Sequence, residues 1–167
     1  MTSEKVHIRE VGPRDGLQMV GRVLSTEHKL DWCRREAAAG IGEIEVTSFV
    51  NPKAVPQFAD AADVAQGAVA MGGFVAAALL PNLRGAERAF EAGIRHVNCV
   101  ISVSESHNRA NINRTTAESV ADFRRIIEAA RTRGRADFHI ACGLATAFGC
   151  SIEGAIPEER VLEIAEQ

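Results

Sequence analysis

The stretch of sequence that decides the fold covers residues 41–80 and holds three regular pieces. It reads IGEIEVT at 41–47, FADAADVAQGAVAM at 58–71 and FVAAALL at 74–80, with a glycine pair directly before the last piece. The first and last pieces are short apolar runs typical of buried strands, and the alanine-rich piece between them is typical of a helix. Because the glycine pair ends the helix, the unit predicts two parallel strands joined by a helical crossover.

The same alternation of strand and helix continues on both sides of this unit. Further strands are predicted at residues 6–11, 94–103 and 138–145. Further helices are predicted after Ser25-Thr26 through residues 30–37 with Gly40 as the stop, at 83–92, at 117–133 behind Thr115 or Thr116, and from Pro157 to Gln167. Near-continuous apolar strands that alternate with helices are typical of a parallel sheet covered by helices.

Two α/β architectures satisfy this pattern, a doubly wound open sheet and a (β/α)8 TIM barrel. A complete barrel needs about 250 residues, whereas this chain has 167 residues and five predicted strand–helix units. The last predicted helix is still running at Gln167. Residues 1–167 are therefore either an incomplete barrel or a complete small open sheet, and both interpretations stay open at this point.

Composition and charge exclude several classes of protein. With 46% hydrophobic and 25% charged residues the chain is an ordinary globular protein, which excludes disorder and coiled coils. A net charge of −3 predicts neither a nucleic-acid partner nor a membrane surface. No apolar run approaches a membrane span, and the first ten residues lack the apolar core of a signal peptide. Four widely spaced cysteines without a CxxC pair indicate reduced thiols, so we expect a cytoplasmic location.

Polar side chains gather where the predicted strands end. They are Arg14, Asp15 and Gln18 after the first strand, Glu45, Thr47 and Ser48 in or after the second, Asn82 after the third, Ser102, Ser104, Glu105 and His107 after the fourth, and Thr146 after the fifth. Because the carboxyl ends of parallel strands meet at one edge, we expect these groups at a common mouth.

Glu45 carries the most information in this set, since it lies between Ile44 and Val46 in an apolar strand. A buried carboxylate needs a cation, a metal ion or strong donors nearby. Arg14 and Asp15 follow the neighbouring strand, and together the three groups suit a divalent cation holding an oxygen-rich substrate, with the arginine stabilising negative charge. A structural Arg–Glu pair at the rim of the barrel explains the same spacing, and both interpretations stay open at this point.

Residues 10–18, EVGPRDGLQ, resemble the opening signature of the hydroxymethylglutaryl-CoA lyases, barrel metalloenzymes that share an Arg-Asp-Gly segment after strand one. The resemblance extends in collinear order through nearly the whole chain, and it implies that residues 1–167 are the N-terminal part of a single (β/α)8 TIM-barrel catalytic domain. It includes EVTSFVNPK at 45–53, VPQ at 55–57, PNLRG at 81–85, SE at 104–105, NIN at 111–113, FGC at 148–150 and EG at 153–154.

The resemblance implies a metal-assisted retro-Claisen cleavage of 3-hydroxy-3-methylglutaryl-CoA to acetyl-CoA and acetoacetate, as in leucine degradation and ketone-body formation. It implies that Asp15 binds the metal, Mg²⁺ or Mn²⁺. By the same resemblance Arg14 stabilises the enolate or thioester oxygen and Glu45 is oriented toward that arginine. It also implies that Gln18 and Ser48 contact an acyl-CoA substrate.

Two departures from the family pattern limit what we expect of this chain. The family's His-x-His metal ligands and its late reactive cysteine are absent, since the five histidines are His7, His28, His96, His107 and His139. We therefore expect the 167-residue chain by itself to be inactive and to bind metal weakly. The chain also has no Tyr, although many relatives carry one on strand five, so the substrate is expected to be either the usual thioester or a related 3-hydroxyacyl-CoA.

Two other functions fit parts of the sequence. One is a Claisen-type acyltransferase of the same superfamily, although such relatives usually read Glu-Gln where this chain has Leu17-Gln18. The other is a non-catalytic half-barrel that serves as an assembly module. Because the edge strands of a half-barrel are open, we expect homo-oligomers.

Several further residues are interpreted as structural. His7 is expected to pack inside the barrel, while His28, His96 and His139 are expected on the surface or against helices. His107 is interpreted as a loop residue and Cys150 as a structural thiol. The basic residues Arg131, Arg133 and Arg135 are expected on a solvated face.

Overall fold

The computed structural model describes residues 6–133 and 137–167, and within them strands and helices alternate as predicted. The strands are β1 (Arg9–Glu10), β2 (Glu43–Ser48), β3 (Val75–Leu79), β4 (His96–Ser102) and β5 (His139–Ala145). The helices are α1 (Thr26–Ala38), α2 (Ala61–Met71), α3 (Leu83–Glu91), α4 (Glu105–Ile112), α5 (Thr116–Thr132) and α6 (Glu158–Ala165). A π-helical turn at Gly12–Gly16 and a 3₁₀ turn at Pro56–Phe58 complete the described elements.

The order of the strands decides between the two architectures. All five strands are parallel and follow one another as β1-β2-β3-β4-β5. A doubly wound sheet reverses its strand order at a switch point, and this sheet shows no reversal. The strands form a half-barrel, which is the N-terminal part of a TIM barrel as predicted.

Alternation along the strands separates an apolar outer face from a polar inner face. Ile44, Ala78 and Val97 belong to the hydrophobic core between the sheet and the helices. Glu45 and Asn98 alternate with these residues and hydrogen-bond to each other on the opposite, inner face. The apolar stripe of each strand thus holds the helices, while the other side of the sheet carries the polar groups.

The helix boundaries follow from local capping. Ser25 caps α1 by accepting a hydrogen bond from the His28 amide. Thr115 and Glu118 form a reciprocal capping box at the start of α5, so the cap is Thr115 rather than Thr116. Gly72, directly after α2, has a φ of 65°, a left-handed conformation that glycine adopts without strain.

Four predicted features need correction. The first strand is confined to two residues instead of 6–11, and His7 is exposed rather than packed in the barrel. Helix α2 begins at Ala61 instead of residue 58, because Pro56–Phe58 forms a separate 3₁₀ turn. The segment after β4, predicted as a loop that holds His107, forms helix α4, so His107 is a helical residue.

Helix α4 has no apolar periodicity and is held by polar contacts instead. Ser104 caps its first turn by accepting from the His107 amide. The amide of Asn108, which is buried, donates to the carbonyl oxygens of Arg114 and Thr115 and to the Ser119 hydroxyl. A helix that is held by polar contacts cannot be predicted from the spacing of hydrophobic residues.

His96 and His139 lie beside each other on the sheet. They occupy facing positions on β4 and β5, and their rings stack with centroids 5.0 Å apart. His96 Nδ1 lies 3.4 Å from Glu43 Oε1. His139 is exposed, as expected of a surface residue, whereas His96 is half-buried in contacts within the sheet instead of against a helix.

The basic residues in and after the last turn of α5 are expected on a solvated face. Arg131 and Arg133 are exposed as predicted, and the Arg133 guanidinium lies 5.4 Å from the centroid of the Phe90 ring. Arg135 lies outside the described residues. Across residues 6–133 and 137–167, no helix combines the length and apolar character that crossing a membrane requires.

Candidate active site

The turn after β1 places Arg14 at the carboxyl edge of the sheet. Val11 O accepts hydrogen bonds from the amides of Arg14 and Asp15 and so closes the π-helical turn. A Cβ on Gly12 would lie 2.6 Å from Glu10 Oε1 and 2.9 Å from the Trp32 ring. A larger residue would displace the Glu10 carboxylate and the Trp32 ring, so glycine lets the turn pack closely on α1.

Arg14 and Glu45 form a short ion pair in a water-poor setting. Arg14 Nε donates to Glu45 Oε1 at 2.5 Å, and the two side chains are 17% and 4% exposed. An ionised carboxylate at this depth requires a cation and hydrogen-bond donors, and the guanidinium supplies both. Arg14 and Glu45 therefore meet at the mouth of the half-barrel, as predicted.

Asn98 and Arg9 extend this pair into a network that the sequence argument missed. Asn98 Nδ2 donates to the second carboxylate oxygen of Glu45 at 2.9 Å. Arg9 Nη1 donates to Asn98 Oδ1 at 2.9 Å, and Arg9 Nη2 lies 2.8 Å from Glu43 Oε1. The sequence does mark Asn98, because it is the polar residue in the otherwise apolar run VNCVI at 97–101 and lies two residues after His96.

Asp15 joins the site through Arg14. Its carboxylate accepts from Arg14 Nη1 at 2.7 Å and is 62% exposed. Arg14 thus bridges two carboxylates, one buried and one facing solvent. The convergence of residues 14, 15 and 45 matches the geometry expected of them.

The described residues do not by themselves hold a divalent ion. No group of three His, Cys, Asp or Glu side chains within residues 6–133 and 137–167 is close enough together to hold a metal. Asp15 offers one solvent-exposed carboxylate that is already paired with a guanidinium, whereas Mg²⁺ or Ca²⁺ sites collect six or more oxygen ligands. The residues present therefore fit one ligand position and not a complete site.

Ser48 and Gln18 differ in how the structure places them. Ser48 ends β2, is fully buried, and its hydroxyl lies 3.4 Å from Leu79 O. Gln18 follows the π-helical turn and is exposed, without a side-chain hydrogen bond to another described residue. Both lie at the carboxyl edge, but the hydrogen bonds and ion pairs of Arg14 and Glu45 with described residues include neither of them.

The loops after β4 and β5 are tied together beside this site. Ser102 Oγ lies 2.8 Å from His107 Nδ1, which joins the end of β4 to the first turn of α4. The Ser104 amide donates to Thr146 Oγ1 at 3.0 Å. The Ser104 hydroxyl also hydrogen-bonds to Cys150, and this bond lowers the pKa of that thiol below its ordinary value. Cys150 is therefore a buried but polarised thiol.

The fold and this cluster define the class of protein: part of a parallel (β/α) barrel whose charged groups converge at the carboxyl ends of the strands, where barrel enzymes place their active sites. A profile of the HMGL-like family matches residues 5–167. The chain belongs to the HMGL-like family.

Individual relatives agree with this assignment. The chain is 42% identical to the hydroxymethylglutaryl-CoA lyase YngG of Bacillus subtilis, over 98% of this chain and 54% of that protein. It is 43% identical to the (R)-citramalyl-CoA lyase of Chloroflexus aurantiacus, again over 98% of this chain and 54% of that protein.

Solved structures give the same result at the level of the fold. The crystal structure of the Bacillus subtilis HMG-CoA lyase superposes with a TM-score of 0.88, over 97% of this chain and 53% of that chain. The HMG-CoA lyase of Acinetobacter baumannii, in complex with coenzyme A and 3-methylmalate, is 37% identical and has a TM-score of 0.84, over 96% of this chain and 51% of that one. The chain thus spans about half the length of the relatives it matches.

Proposed function

We propose that this chain forms the N-terminal half of the active site of a carbon–carbon lyase. The substrate is 3-hydroxy-3-methylglutaryl-CoA or a related 3-hydroxyacyl-CoA, cleaved to acetyl-CoA and a 3-oxo acid, which is acetoacetate for the first substrate. The observation that carries the proposal is the buried Arg14–Glu45 pair inside a family whose relatives are named as lyases of this kind.

The proposed reaction places its negative charge where Arg14 can meet it. A base takes the proton of the tertiary hydroxyl, the oxygen becomes a ketone, and the carbon–carbon bond breaks. The electron pair of that bond goes to the carbon next to the thioester carbonyl and forms the acetyl-CoA enolate, which takes up a proton at that carbon to give acetyl-CoA. Donors aimed at the enolate oxygen lower the barrier because the charge develops only as the bond breaks.

Arg14 retains the donors that this role requires. A guanidinium has five N–H groups, and the described contacts use one on Nε and one on Nη1. Three N–H groups are therefore left for substrate oxygens. Glu45 and Asp15 fix the plane of the guanidinium, and Asn98 fixes Glu45 in turn. Under this proposal Arg14 is catalytic and binds substrate, Glu45 is its catalytic partner, and Gln18 and Ser48 are further substrate contacts.

The cofactor follows from the family rather than from the described residues. HMGL-like enzymes depend on a divalent metal ion, and we propose Mg²⁺ or Mn²⁺ with Asp15 as one ligand. Such an ion would supply a positive charge near the reacting oxygens. Because Asp15 is the sole matching ligand among the described residues, the chain by itself is expected to bind the ion weakly.

The inner face of β5 supports a choice between related thioesters. Gly143 faces Val100 across the β4–β5 pair, and the nearest atom to a Cβ built there is Cys99 O at 3.9 Å. This space on the inner face would admit a substituent that a larger side chain would exclude. A panel of 3-hydroxyacyl-CoA thioesters that differ at C3 tests which substrate is used.

The experiment that tests the function is a fusion of this chain to the C-terminal half of the Bacillus subtilis relative. The proposal predicts that the folded fusion releases acetyl-CoA and acetoacetate from 3-hydroxy-3-methylglutaryl-CoA in the presence of Mg²⁺ or Mn²⁺, while the 167-residue chain alone does not. A fusion with native circular dichroism that cleaves no member of the thioester panel would contradict the proposal.

The location and assembly belong to the same proposal. We propose a cytoplasmic acyl-CoA enzyme that associates with copies of itself and has neither nucleic acid nor membrane as a partner. The open strand edges described above support the self-association.

A further inference from the structure

Two ion pairs of the same kind lie on the inner face of the half-barrel, and one side-chain amide joins them. Arg9 pairs with Glu43 where β1 and β2 begin, and Arg14 pairs with Glu45 at the carboxyl edge. Asn98 Oδ1 accepts from Arg9 Nη1 at 2.9 Å, and Asn98 Nδ2 donates to Glu45 Oε2 at 2.9 Å. The proposed reaction uses the second ion pair, whereas the first has no part in it.

The guanidinium of Arg9 has a partner on each of its two terminal nitrogens. Arg9 and Glu43 occupy paired positions of the β1–β2 ladder, and Arg9 Nη2 lies 2.8 Å from Glu43 Oε1. The other terminal nitrogen, Nη1, donates to Asn98. In a flat sheet β1 and β4 would lie about 14 Å apart, so this contact depends on the curvature of the half-barrel. Because a guanidinium is a rigid planar fork, two partners fix its plane.

Arg9 determines which way the amide of Asn98 points. A carboxamide has an acceptor oxygen at one end and a donor NH₂ at the other, whereas a guanidinium only donates and an ionised carboxylate only accepts. With Arg9 on one side and Glu45 on the other, one of the two amide orientations satisfies both partners. The flipped orientation would set Asn98 Oδ1 against the Glu45 carboxylate. Arg9 therefore selects the orientation in which Glu45 gains a donor.

We propose that Arg9 is a positioning residue for the lyase reaction, acting through Asn98 and Glu45 on the guanidinium of Arg14. This inference rests on the proposed function. Asn98 holds one oxygen of the Glu45 carboxylate and so keeps the other oxygen facing Arg14 Nε. Arg9 forms no hydrogen bond or ion pair with Arg14 in the described part of the chain, so its effect must pass through the amide. Glu43 is the anchor that holds Arg9 in place.

The first test reads the geometry of Arg14 in the 167-residue chain without turnover. Nuclear magnetic resonance measures how fast the Nε–H of Arg14 exchanges with solvent, and the signal is identified by its loss in Arg14→Gln. Arg9→Met should make this exchange about fivefold faster, as for a weakened hydrogen bond. Arg34→Met is the matched control, because Arg34 pairs with Asp31 on the exposed surface of α1. It removes the same charge and one ion pair, and should change the exchange rate less than about twofold.

A double substitution tests whether Arg9 acts through the amide. Asn98→Ala should also accelerate the exchange of the Arg14 Nε–H, and Arg9→Met added to Asn98→Ala should accelerate it no further. Residues that act through one contact are not additive, whereas independent effects would multiply. Glu43→Gln gives a second route, since it keeps the shape of the side chain but removes the charge that anchors Arg9. It should accelerate the exchange in the same direction as Arg9→Met, and it replaces that variant if circular dichroism shows Arg9→Met to be unfolded.

Turnover of the fusion to the C-terminal half of the Bacillus subtilis relative is the second test. Arg9→Met should lower kcat about tenfold, because a small misplacement of Arg14 weakens its contact with the transition state. It should change KM less than about twofold, since the lost interaction belongs to the transition state. Arg34→Met should leave both constants unchanged.

The proposal is overturned if Arg9→Met and Arg34→Met give the same exchange rate, if the effects of Arg9→Met and Asn98→Ala multiply, or if kcat of the active fusion does not depend on Arg9. A wild-type fusion that cleaves no thioester would overturn the proposed function, while the exchange measurements would still show whether Arg9 positions Arg14. An active fusion in which neither exchange nor kcat responds to Arg9 would overturn the role of Arg9 alone.

Discussion

Asn98 on β4 donates a hydrogen bond to Glu45 on β2, across the intervening strand β3. The contact spans two strand spacings because the residue of β3 that pairs with Glu45 is Ala77, whose side chain is small. The amide thereby fills the acceptor position of the carboxylate that Arg14 leaves open. Asn98 is a positioning residue for Glu45, which is itself 3% exposed.

Replacing Asn98 with Ala should destabilise the chain. The change leaves Glu45 Oε2 and Arg9 Nη1 without their partner, and a buried polar group that loses its hydrogen bond costs about 1–3 kcal/mol. Urea unfolding followed by circular dichroism measures the loss. Asn111→Ala is the control, since Asn111 is exposed and forms no side-chain hydrogen bond to a described residue, and it should change the free energy of unfolding by less than about 0.5 kcal/mol. Equal effects of the two changes would contradict the network.

Thiol reactivity should separate Cys150 from the other cysteines. The hydrogen bond from Ser104 lowers the pKa of Cys150, whereas burial raises the pKa of Cys33 and Cys142 to about 11 and that of Cys99 to about 12. A lowered pKa means more thiolate at a given pH, so iodoacetamide should alkylate Cys150 first as the pH rises from 7 to 9.

Ser104→Ala removes the donor and should move the alkylation midpoint of Cys150 to higher pH. Ser151→Ala, on the exposed neighbour of Cys150, is the control and should leave the midpoint in place. Mass spectrometry of tryptic peptides locates the label. A midpoint that does not respond to Ser104→Ala would show that the serine hydroxyl does not polarise the thiol.

The chain alone should bind Mn²⁺ with a dissociation constant weaker than about 1 mM, because one exposed carboxylate does not make a metal site. Electron paramagnetic resonance of free Mn²⁺ measures this binding. Asp15→Asn should remove what binding there is, while Asp63→Asn, on the exposed face of α2, should not. Micromolar affinity in the wild-type chain would mean that the described residues hold more ligands than Asp15.

Self-association should follow from the open sides of the half-barrel. Strands β1 and β5 each pair with one neighbour, and Val75 and Val100, on the strands between, are 38% and 42% exposed. Unpaired strand edges and exposed valines favour contacts with another chain. Sedimentation velocity over a range of concentrations should show species larger than 17.9 kDa, whereas a single monomeric species at all concentrations would refute the expectation.

The parts of the fold that could be predicted are those where local signals agree. The strands and helices next to Gly40 and Gly72 could be predicted because the apolar runs end at these glycines. Capping and burial therefore act on the same few residues. Helix α4 could not be predicted in this way, since its stability comes from Asn108 contacts with segments further along the chain. The shortness of β1 could not be predicted for a similar reason. β1 pairs with two residues of β2, and no local sequence pattern determines the length of this pairing.

The residues of the candidate site likewise divide into those that could be predicted from the sequence and those that could not. Glu45 was found because a carboxylate in an apolar strand is costly without a partner, and Arg14 was the nearest cation at a neighbouring strand end. Asn98 and Arg9 were missed because their pairing depends on the register of strands that are far apart in sequence. A polar residue in a strand indicates the inner face of the sheet, but it does not indicate which residue it hydrogen-bonds to.

Turnover of the fusion protein after Arg14→Gln tests the central claim most directly. If the guanidinium of Arg14 meets the enolate oxygen, kcat should fall by about 100-fold or more, as for the loss of an oxyanion donor, while Arg131→Gln should leave kcat unchanged. Cleavage that continues at the wild-type rate without Arg14, in a variant whose circular dichroism is native, would contradict the account.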